Sequence, residues 1–456
     1  MKLTPPVRIN DSIELAVDAL SSEGHGIGRV AGYAVFVEGA LPGERVLCRI
    51  TKAGSTYAEA KLVRILAPSD ARVTPRCEHA GVCGGCGLQH MAYEAQLAAK
   101  RERVVSALER IGGIERPNVG EVVGMADAWR YRNKASFPAC AGEFAVELGC
   151  FERNSNRVIG IDDCAIQCER SLEVLRAVRR WARECAIVAY DPVSGGGELR
   201  HVVTRTTSLG ETAVVVVTAQ ELRQGEALVA RLVADVPGVT SVVSNINRAR
   251  SSVILGERFR TLYGAPYTHE RILGSDFDVS APSFLQVNHA QTEKLYAHAM
   301  SLLQPHGDEL VYDAYCGIGT LSVALAKRVG RVVGIECVEA AVADARRNAK
   351  KNGAANAEFY CGLVEEKLPQ LLAKGMLPDA IVLDPPRKGC ERAAIEAIAC
   401  SSARSIVYIS CNPSTLARDC KHLRQAGYDI VCAQPFDMFP HTTHVESVIL
   451  LSRAGR

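Results

Sequence analysis

Short apolar runs that alternate with helical segments are the feature of this sequence that most limits its fold. Each run is long enough for one buried strand and too short for a helix. Strand-like runs separated by helical segments are typical of an open, mostly parallel α/β sheet. The C-terminal half of the chain is therefore predicted to form such a sheet, from runs at 309–313, 331–336, 380–384, 405–409, 428–432 and 447–451.

Cys411 directly follows the run at 405–409, in the stretch Ser-Cys-Asn-Pro, and a helix is predicted to open near Leu416. This places the thiol at the carboxyl end of a strand, where open α/β sheets hold their ligands. A lone cysteine is more often a small buried apolar residue than a reactive one. Other strand ends in this half also carry chemically useful side chains, which favours a nucleophile at Cys411.

A short glycine loop follows the strand at 309–313 and contains Gly317 and Gly319. Glycines at a strand end allow the backbone to approach a ligand. A third glycine would complete a dinucleotide-binding pattern, but Ser322 occupies that position. Asp313 ends the first strand and Glu336 ends the next, and such an acid typically accepts ribose hydroxyls. This set suits S-adenosylmethionine, which has a ribose but no pyrophosphate.

Glu446 begins the closing apolar strand, after a loop that also contains Asp437, His441 and His444. A carboxylate beside a buried strand suits a general base, because an apolar surrounding raises its pKa. The alternative is a surface ion-pair partner. A metal site at the two histidines is disfavoured, since no further ligand follows in register.

Residues 12–66 alternate short β-prone runs with glycine turns and predict a small barrel of the OB type. Such barrels often bind oligonucleotides, although a spacer or protein-docking role is the alternative. The stretch from Glu23 through Gly28 and the later Val-Phe-Val-Glu-Gly-Ala-Leu-Pro-Gly-Glu resemble a TRAM domain. The resemblance implies an RNA-binding barrel.

Three cysteines, Cys77, Cys83 and Cys86, lie within ten residues and can surround one inorganic centre. Zinc would need a fourth Cys or His, and an iron–sulfur cluster would need a fourth thiolate that can lie far away. Cys164 and Cys168 are the candidates for that position. His79 is so close to Cys77 that it would be an awkward zinc ligand.

The composition of the 456 residues is that of a water-soluble globular chain, with 48% apolar and 23% charged residues. The 17 cysteines lack the spacing of a small disulfide scaffold. No run reaches membrane-spanning length and no signal peptide is evident, so a cytoplasmic protein without a membrane partner is expected. The net charge is only +2, so RNA contacts must come from local patches. One candidate patch is the run 129–137, with Arg130, Arg132 and Lys134.

Four stretches together resemble the RNA uracil-5-methyltransferases, most closely those that act on 23S rRNA. They are the Asp-Ala-Tyr-Cys-Gly-Ile-Gly-Thr loop, Asp-Pro-Pro-Arg-Lys-Gly, the stretch around Cys411, and Asp-Met-Phe-Pro-His-Thr-Thr-His-Val-Glu. The resemblance covers nearly the whole chain. It implies a TRAM domain at 1–68, a central α+β iron–sulfur and RNA-binding domain at 69–275, and a Rossmann-like α/β methyltransferase domain at 276–456. The helical segment at about 93–124 would pack on the catalytic domain.

By position, the resemblance also implies three sets of functional residues. The ligands of a [4Fe-4S] cluster would be Cys77, Cys83, Cys86 and Cys164, rather than Cys168. The contacts to S-adenosylmethionine would be Gln286, Tyr315, Thr320, Glu336 and Asp384, beside Asp313, Gly317 and Gly319. The nucleophile would be Cys411 and the general base Glu446.

These residue types match the chemistry of C5 methylation in uracil, because thiolate addition at C6 makes C5 nucleophilic and a carboxylate can then remove the C5 proton. The target would be a flipped uridine of 23S rRNA, with no DNA partner and a monomeric enzyme expected. A tRNA uracil-5-methyltransferase is the alternative enzyme. It is disfavoured because its usual relatives lack the barrel and the cysteine triplet. A non-catalytic iron–sulfur RNA-binding protein is the alternative of another class.

Overall fold

Six short strands form the N-terminal region of the computed structural model, which describes residues 5–142, 146–401 and 403–453. Their order in the sheet is β1-β5-β6-β4-β3-β2, and β1 also contacts β3, so the sheet curls on itself. Val35, Val37 and Ile50 fill its interior. This agrees with the barrel predicted from the sequence. The strands are β1 (Ser12–Ala16), β2 (Ala19–Leu20), β3 (Gly26–Val30), β4 (Tyr33–Glu38), β5 (Arg45–Ala53) and β6 (Tyr57–Ala67).

The central region is a seven-stranded sheet in the order β13-β12-β11-β10-β7-β8-β9. Two helices, α2 and α3, pack on it, and the fully buried Trp181 of α2 lies in their shared core. The region follows helix α1 (Tyr93–Arg110). Its elements are β7 (Lys134–Ala141), β8 (Val146–Phe151), β9 (Val158–Gly160), α2 (Glu169–Glu184), β10 (Leu199–Thr206), β11 (Thr212–Thr218), α3 (Gly225–Asp235), β12 (Val239–Ile246) and β13 (Arg258–Gly264).

The C-terminal region is the open α/β sheet that the sequence predicts, in the order β18-β17-β16-β19-β20-β22-β21. Strands β16 to β20 are parallel, whereas β22 runs antiparallel to both of its neighbours. Its elements, with the preceding hairpin, are β14 (Tyr267–Ile272), β15 (Ser275–Ser280), α4 (His289–Leu303), β16 (Leu310–Ala314), α5 (Thr320–Ala326), β17 (Arg331–Glu336), α6 (Glu339–Lys351), β18 (Ala357–Cys361), α7 (Val364–Ala373), β19 (Ala380–Leu383), α8 (Arg392–Cys400), β20 (Ser405–Ser410), α9 (Pro413–Gln425), β21 (Tyr428–Phe436) and β22 (Glu446–Arg453).

Two hydrophobic clusters cover the two faces of this sheet. The β14–β15 hairpin contributes Ile272, Phe277 and Val279 to one of them, so it packs as part of the catalytic unit. A domain boundary after residue 275 therefore falls inside this hairpin. The sheet order reverses between β16 and β19, and a ligand crevice is expected at the carboxyl ends of strands on either side of such a point.

Helix α1 and the segment after it contact the catalytic sheet rather than the central one. The helix packs against α9 and β21, and Val119 and Val123 form bridges with Ala433 and Phe436 of β21. Among the described residues, no helix is long and apolar enough to cross a membrane.

Two local elements differ from the sequence-based expectation. The run 129–137 is strand only from Lys134, because Arg130 takes a positive φ of 51° that breaks an extended backbone. Helix α9 begins at Pro413, three residues before Leu416. Asn412 caps it by accepting a hydrogen bond from the Ser414 amide (3.1 Å), and proline is favoured at the first helical position.

Candidate active site

The glycine loop after β16 turns sharply into α5. Tyr315 has a φ of 71°, which is uncommon for a residue with a side chain and concentrates at functional sites. Gly319 has a φ of 80°, and an added Cβ would lie 3.2 Å from both Ala345 and Phe359. Ser322, which replaces the third glycine of the dinucleotide pattern, donates a hydrogen bond to Asp313 (2.5 Å). The serine thus orients the acid at the strand end.

Glu336, at the end of β17, points back to this loop. Its Oε2 accepts a hydrogen bond from the Gly317 amide (3.1 Å) and its Oε1 accepts one from the Val338 amide (2.8 Å). The carboxylate is therefore fixed beside the glycine loop, at the carboxyl end of β17. This is the position from which an acid can accept ribose hydroxyls.

A hollow beside the glycine loop brings most of the predicted cofactor residues together. Tyr296 of α4 also lies there. The sequence alone does not reveal Tyr296 as a site residue, because it occupies an ordinary buried position of an amphipathic helix. Burial raises its pKa, and the charges of Asp384, Asp313 and Glu446 raise it further. Residues lining the hollow include Phe284, Leu285, Gln286, Tyr296, Asp313, Tyr315, Gly317, Thr320 and Asp384.

The sheet register explains why Cys411 and Glu446 are neighbours. Ser410 of β20 pairs with Ser447 of the antiparallel strand β22. Cys411, which follows Ser410, therefore lies opposite Glu446, which precedes Ser447. Burial raises the pKa of the Cys411 thiol to about 11, and Glu446 contributes to the shift. Burial also raises the pKa of Glu446 to about 8, with a smaller contribution from Asp384 at the end of β19.

Arg387 is the cation at this site. It lowers the pKa of the Cys411 thiol and of Glu446, while its own guanidinium lies 3.3 Å from His444 Nε2. Its backbone carbonyl accepts a hydrogen bond from the Asn412 side chain (3.1 Å), which ties the two loops together. Arg387 could have been found from the sequence, since it follows the Asp-Pro-Pro stretch directly after β19.

Asp437, the other carboxylate near the closing strand, is fully engaged by helix α1. The buried Lys100 ammonium donates to its Oδ1 (2.5 Å), and the Tyr93 hydroxyl donates to its Oδ2 (2.8 Å). Glu446, by contrast, accepts no hydrogen bond at its carboxylate from any residue in the described part of the chain. Of these two carboxylates, Asp437 is thus the one whose charge is neutralised by a hydrogen-bonded cation.

The loop between Asp437 and Glu446 is held by residues that are distant in sequence. The His441 carbonyl accepts hydrogen bonds from the Gly87 and Leu88 amides (3.1 and 2.9 Å), just after the cysteine triplet. Its ring stacks on Trp129 with centroids 3.8 Å apart. Arg130, at the start of the same run, binds Asp163 (2.7 Å). Trp129 and Arg130 thus make contacts within the protein, and RNA binding by the run 129–137 stays a prediction.

We expect Asp437→Asn to destabilise the catalytic region rather than to stop proton removal. The substitution leaves the buried Lys100 ammonium without a counter-charge, which typically costs about 3–5 kcal/mol. Denaturant unfolding should show that loss, and the double variant Lys100→Met with Asp437→Leu should recover much of it. An unchanged unfolding free energy in Asp437→Asn would contradict this view of the pair.

The four predicted cluster cysteines lie in one neighbourhood. Burial raises the pKa of Cys86 to about 12, and the charges of Cys164, Cys83 and Cys77 add to the shift. The neighbouring Cys150 thiol lowers the pKa of the Cys83 thiol.

Cys168, the other candidate for the fourth ligand, instead contacts the Ser171 hydroxyl at 3.2 Å. As arranged in the described residues, no three His, Cys, Asp or Glu side chains form a ready metal site. The four thiols have the chemistry that an iron–sulfur cluster needs, but their present arrangement does not enclose one.

Comparison with known proteins gives matches to both the barrel and the catalytic region. A family model described as tRNA (uracil-5-)-methyltransferase matches residues 271–454, and a TRAM domain model matches residues 6–63. An RNA methyltransferase of Halalkalibacterium halodurans, itself named as uncharacterized, is 42% identical to this chain over 452 residues. The alignment covers 99% of each of the two chains. Another from Clostridium acetobutylicum is 38% identical over 460 residues, with full coverage of both chains.

A solved structure is also similar over nearly the whole chain. The Pyrococcus abyssi tRNA (uracil-54, C5)-methyltransferase in complex with S-adenosyl-L-homocysteine superposes with a TM-score of 0.77 at 28% identity, covering 96% of this chain and 100% of that one. The fold and the site define an S-adenosylmethionine-dependent methyltransferase. The chain belongs to the RNA uracil-5-methyltransferase family.

The charge of the hollow fits this cofactor. Burial raises the pKa of Asp313 to about 6, that of Asp384 to about 7 and that of Glu446 to about 8, and the Arg387 charge opposes the shift of Glu446. Buried carboxylates that lack a cation partner favour a positively charged ligand. S-adenosylmethionine brings a sulfonium, and its amino acid moiety brings an ammonium.

We therefore expect the affinity for S-adenosylmethionine to rise with pH between about 5.5 and 8. These carboxyl groups are mostly protonated below their raised pKa values, and each one that ionises attracts the sulfonium. S-adenosylhomocysteine has a neutral sulfur and should show a weaker dependence. Calorimetry in buffers of different ionisation enthalpy measures both the affinity and the proton release. If the ratio of the affinities for S-adenosylmethionine and S-adenosylhomocysteine stayed constant from about pH 5.5 to 8, the buried carboxylates would not be attracting the sulfonium.

Proposed function

We propose that the protein methylates C5 of a uridine in 23S rRNA through a covalent intermediate on Cys411. The observation that carries the covalent chemistry in this proposal is the juxtaposition of a thiol, a free buried carboxylate and one arginine across the ends of β19, β20 and β22. Uracil C5 is a poor nucleophile until C6 is substituted, and the thiol and the carboxylate supply the two groups that the reaction requires.

The steps follow from these residues. The Cys411 thiolate, favoured by the Arg387 charge, forms a bond to C6, and the C5–C6 π electrons move to the enolate. S-adenosylmethionine supplies the methyl group that C5 then takes. Glu446 removes the remaining C5 proton, the electron pair returns to the C5–C6 bond, and the thiolate leaves. Burial, with a smaller contribution from Asp384, keeps the pKa of Glu446 high and so strengthens it as a base.

The RNA would enter along a groove of about 820 Å³ between the barrel and helix α1. Arg29 and Phe36 of the barrel and Arg103 and Arg110 of the helix line it, and Ser414 and Thr443 lie on its catalytic side. Arginine and exposed aromatic side chains suit phosphate contacts and base stacking. The groove is continuous with the loops that bear Cys411 and Glu446, which suits delivery of a flipped nucleotide.

We also propose that Cys77, Cys83, Cys86 and Cys164 hold a [4Fe-4S] cluster, which would clamp the segment that binds the His441 carbonyl. Anaerobically purified protein should be brown, with about four irons per chain. Cys164→Ser should lose the iron while Cys168→Ser, the matched control, keeps it. A colourless protein with one zinc, or iron loss in Cys168→Ser alone, would contradict this assignment.

A tRNA substrate is the second candidate, and a specific observation favours it. The solved Pyrococcus abyssi tRNA enzyme aligns with 96% of this chain, so the presence of a barrel and a central region does not select rRNA. Methyl transfer from labelled S-adenosylmethionine to unmodified transcripts of 23S rRNA and of tRNA distinguishes the two. We expect incorporation into the 23S transcript, and incorporation into tRNA alone would overturn the rRNA assignment.

A further inference from the structure

The outer edge of the central sheet carries an exposed set of arginine and aromatic side chains. Strand β13 forms this edge, and Arg258, Phe259, Arg260 and Tyr263 are all exposed there. The connection from β12 to β13 adds the exposed Arg248 and Arg250. We name this set, Arg248, Arg250, Arg258, Phe259, Arg260 and Tyr263, the β13 surface.

The four arginines of the β13 surface form no ion pair and donate no hydrogen bond within the described part of the chain. Other arginines of the same region are paired, such as Arg179 with Asp162 and Arg223 with Glu198. The acidic side chains close to the surface are Glu257, next to Arg258 in sequence, and Glu221 and Glu226, which share a hollow with Arg260.

The segment 248–264 thus holds four arginines and one glutamate, on a chain whose net charge is only +2. Phe259 and Tyr263 are 39% and 40% exposed, which leaves ring surface in water. Unpaired guanidinium groups bind phosphates, and exposed aromatic rings stack unpaired bases. The complementary partner is therefore a polyanion with bases, and RNA is the partner that this enzyme already binds.

The β13 surface is too far from the reacting centre to touch the target nucleotide. The segment before β7 lies beside the cofactor residues, since the Asn133 amide donates to the Val287 carbonyl (2.8 Å). Strand β13 is four strand spacings away from β7 in the sheet, which is about 20 Å. A ligand at this surface is thus a different part of the same RNA, or a different molecule.

We propose that the β13 surface is a second RNA-binding surface, which holds a segment of the substrate RNA remote from the methylated uridine. The inference rests on the proposed function in that it takes a large structured RNA as the substrate. Arg258 and Arg260 lie on one face of the edge strand and Phe259 on the other, because successive strand side chains alternate. The RNA would therefore wrap around the edge, with phosphates on the arginines and unpaired bases on the aromatic rings. This surface selects for a folded RNA that reaches from the active site to the sheet edge.

The test compares three variants of the full-length protein on in vitro-transcribed 23S rRNA. Arg258→Glu with Arg260→Glu reverses two charges on the surface. Arg180→Glu with Arg183→Glu reverses two exposed charges on helix α2, of which Arg180 pairs with Asp235 (3.0 Å), and is the control. Phe259→Ala with Tyr263→Ala removes the rings alone. Melting temperature and S-adenosylmethionine binding check that each variant is folded.

We expect the β13 charge reversal to weaken binding of the transcript at least tenfold, with the control within about twofold of the parent. The slope of log affinity against log salt should fall by roughly 1.5 units, as expected for two lost phosphate contacts. The ring variant should lose affinity with an unchanged slope. The inference would be overturned if the β13 charge reversal and the control had equal affinities for the transcript and equal salt slopes. The same result is expected if the surface binds a protein instead of RNA.

Failure of this inference is distinguishable from failure of the proposed function. If the parent protein methylates the 23S transcript but the β13 variants bind it normally, only the second surface is wrong. If the parent methylates tRNA transcripts instead, the rRNA assignment is wrong, and the same variants measured on those transcripts decide whether the surface binds RNA.

Discussion

Cys411→Ala is expected to abolish methylation while leaving the affinities for S-adenosylmethionine and RNA within a few-fold of the parent. Without the thiolate, C6 cannot be substituted and C5 stays unreactive. Loss of a covalent nucleophile typically lowers kcat by on the order of a thousandfold or more. Residual activity within tenfold of the parent would rule out the nucleophile assignment.

The covalent intermediate can also be trapped directly. RNA that carries 5-fluorouracil at the target should form a protein–RNA adduct that survives denaturation, because fluorine does not leave as a proton does. Cys411→Ala should form none. Cys400→Ala removes an exposed thiol on helix α8 of the same region and serves as the matched control. An adduct in Cys411→Ala would show that another residue attacks C6.

Glu446→Gln is expected to accumulate a methylated adduct on ordinary uracil RNA. Addition of the thiolate and transfer of the methyl group precede the step that needs the base, so they can still occur. Elimination then stalls, because the amide cannot take the C5 proton. Mass spectrometry of the adduct should show the added methyl group, which separates this species from the trapped fluorinated one.

Asp437→Asn is the control for the Glu446 variant. Because Lys100 and Tyr93 engage the Asp437 carboxylate, this variant should turn over without adduct, apart from its lower stability. Accumulation in Asp437→Asn with normal turnover in Glu446→Gln would reverse the two roles. Slow turnover without adduct in both variants would mean that water or another group removes the C5 proton.

Much of the catalytic fold follows from local sequence signals. Strands such as Arg331–Glu336 are short β-prone runs bounded by helical spacing, so both their type and their ends are predictable. The role of the run 129–137 is harder to predict for a physical reason. Its aromatic and cationic pattern is the same whether the side chains face RNA or another domain, and Trp129 stacks on His441.

The site shows the same division between local and tertiary information. Cys411 and the glycine loop are marked by their place at strand ends. The choice of Glu446 over Asp437 depends on contacts from helix α1, more than 300 residues away, which no local pattern reports. Tyr296 was missed because its helical position is an ordinary core position in the sequence, and only the arrangement of three carboxyl groups around it reveals its place in the site.

Mapping of 5-methyluridine by mass spectrometry in 23S rRNA and tRNA, from cells with and without this protein, tests the central claim most directly. The account predicts that one or more 5-methyluridines of 23S rRNA disappear when the protein is absent. They should return with the parent protein and not with Cys411→Ala. Unchanged 23S rRNA together with a loss of 5-methyluridine from tRNA would contradict the assignment of the substrate.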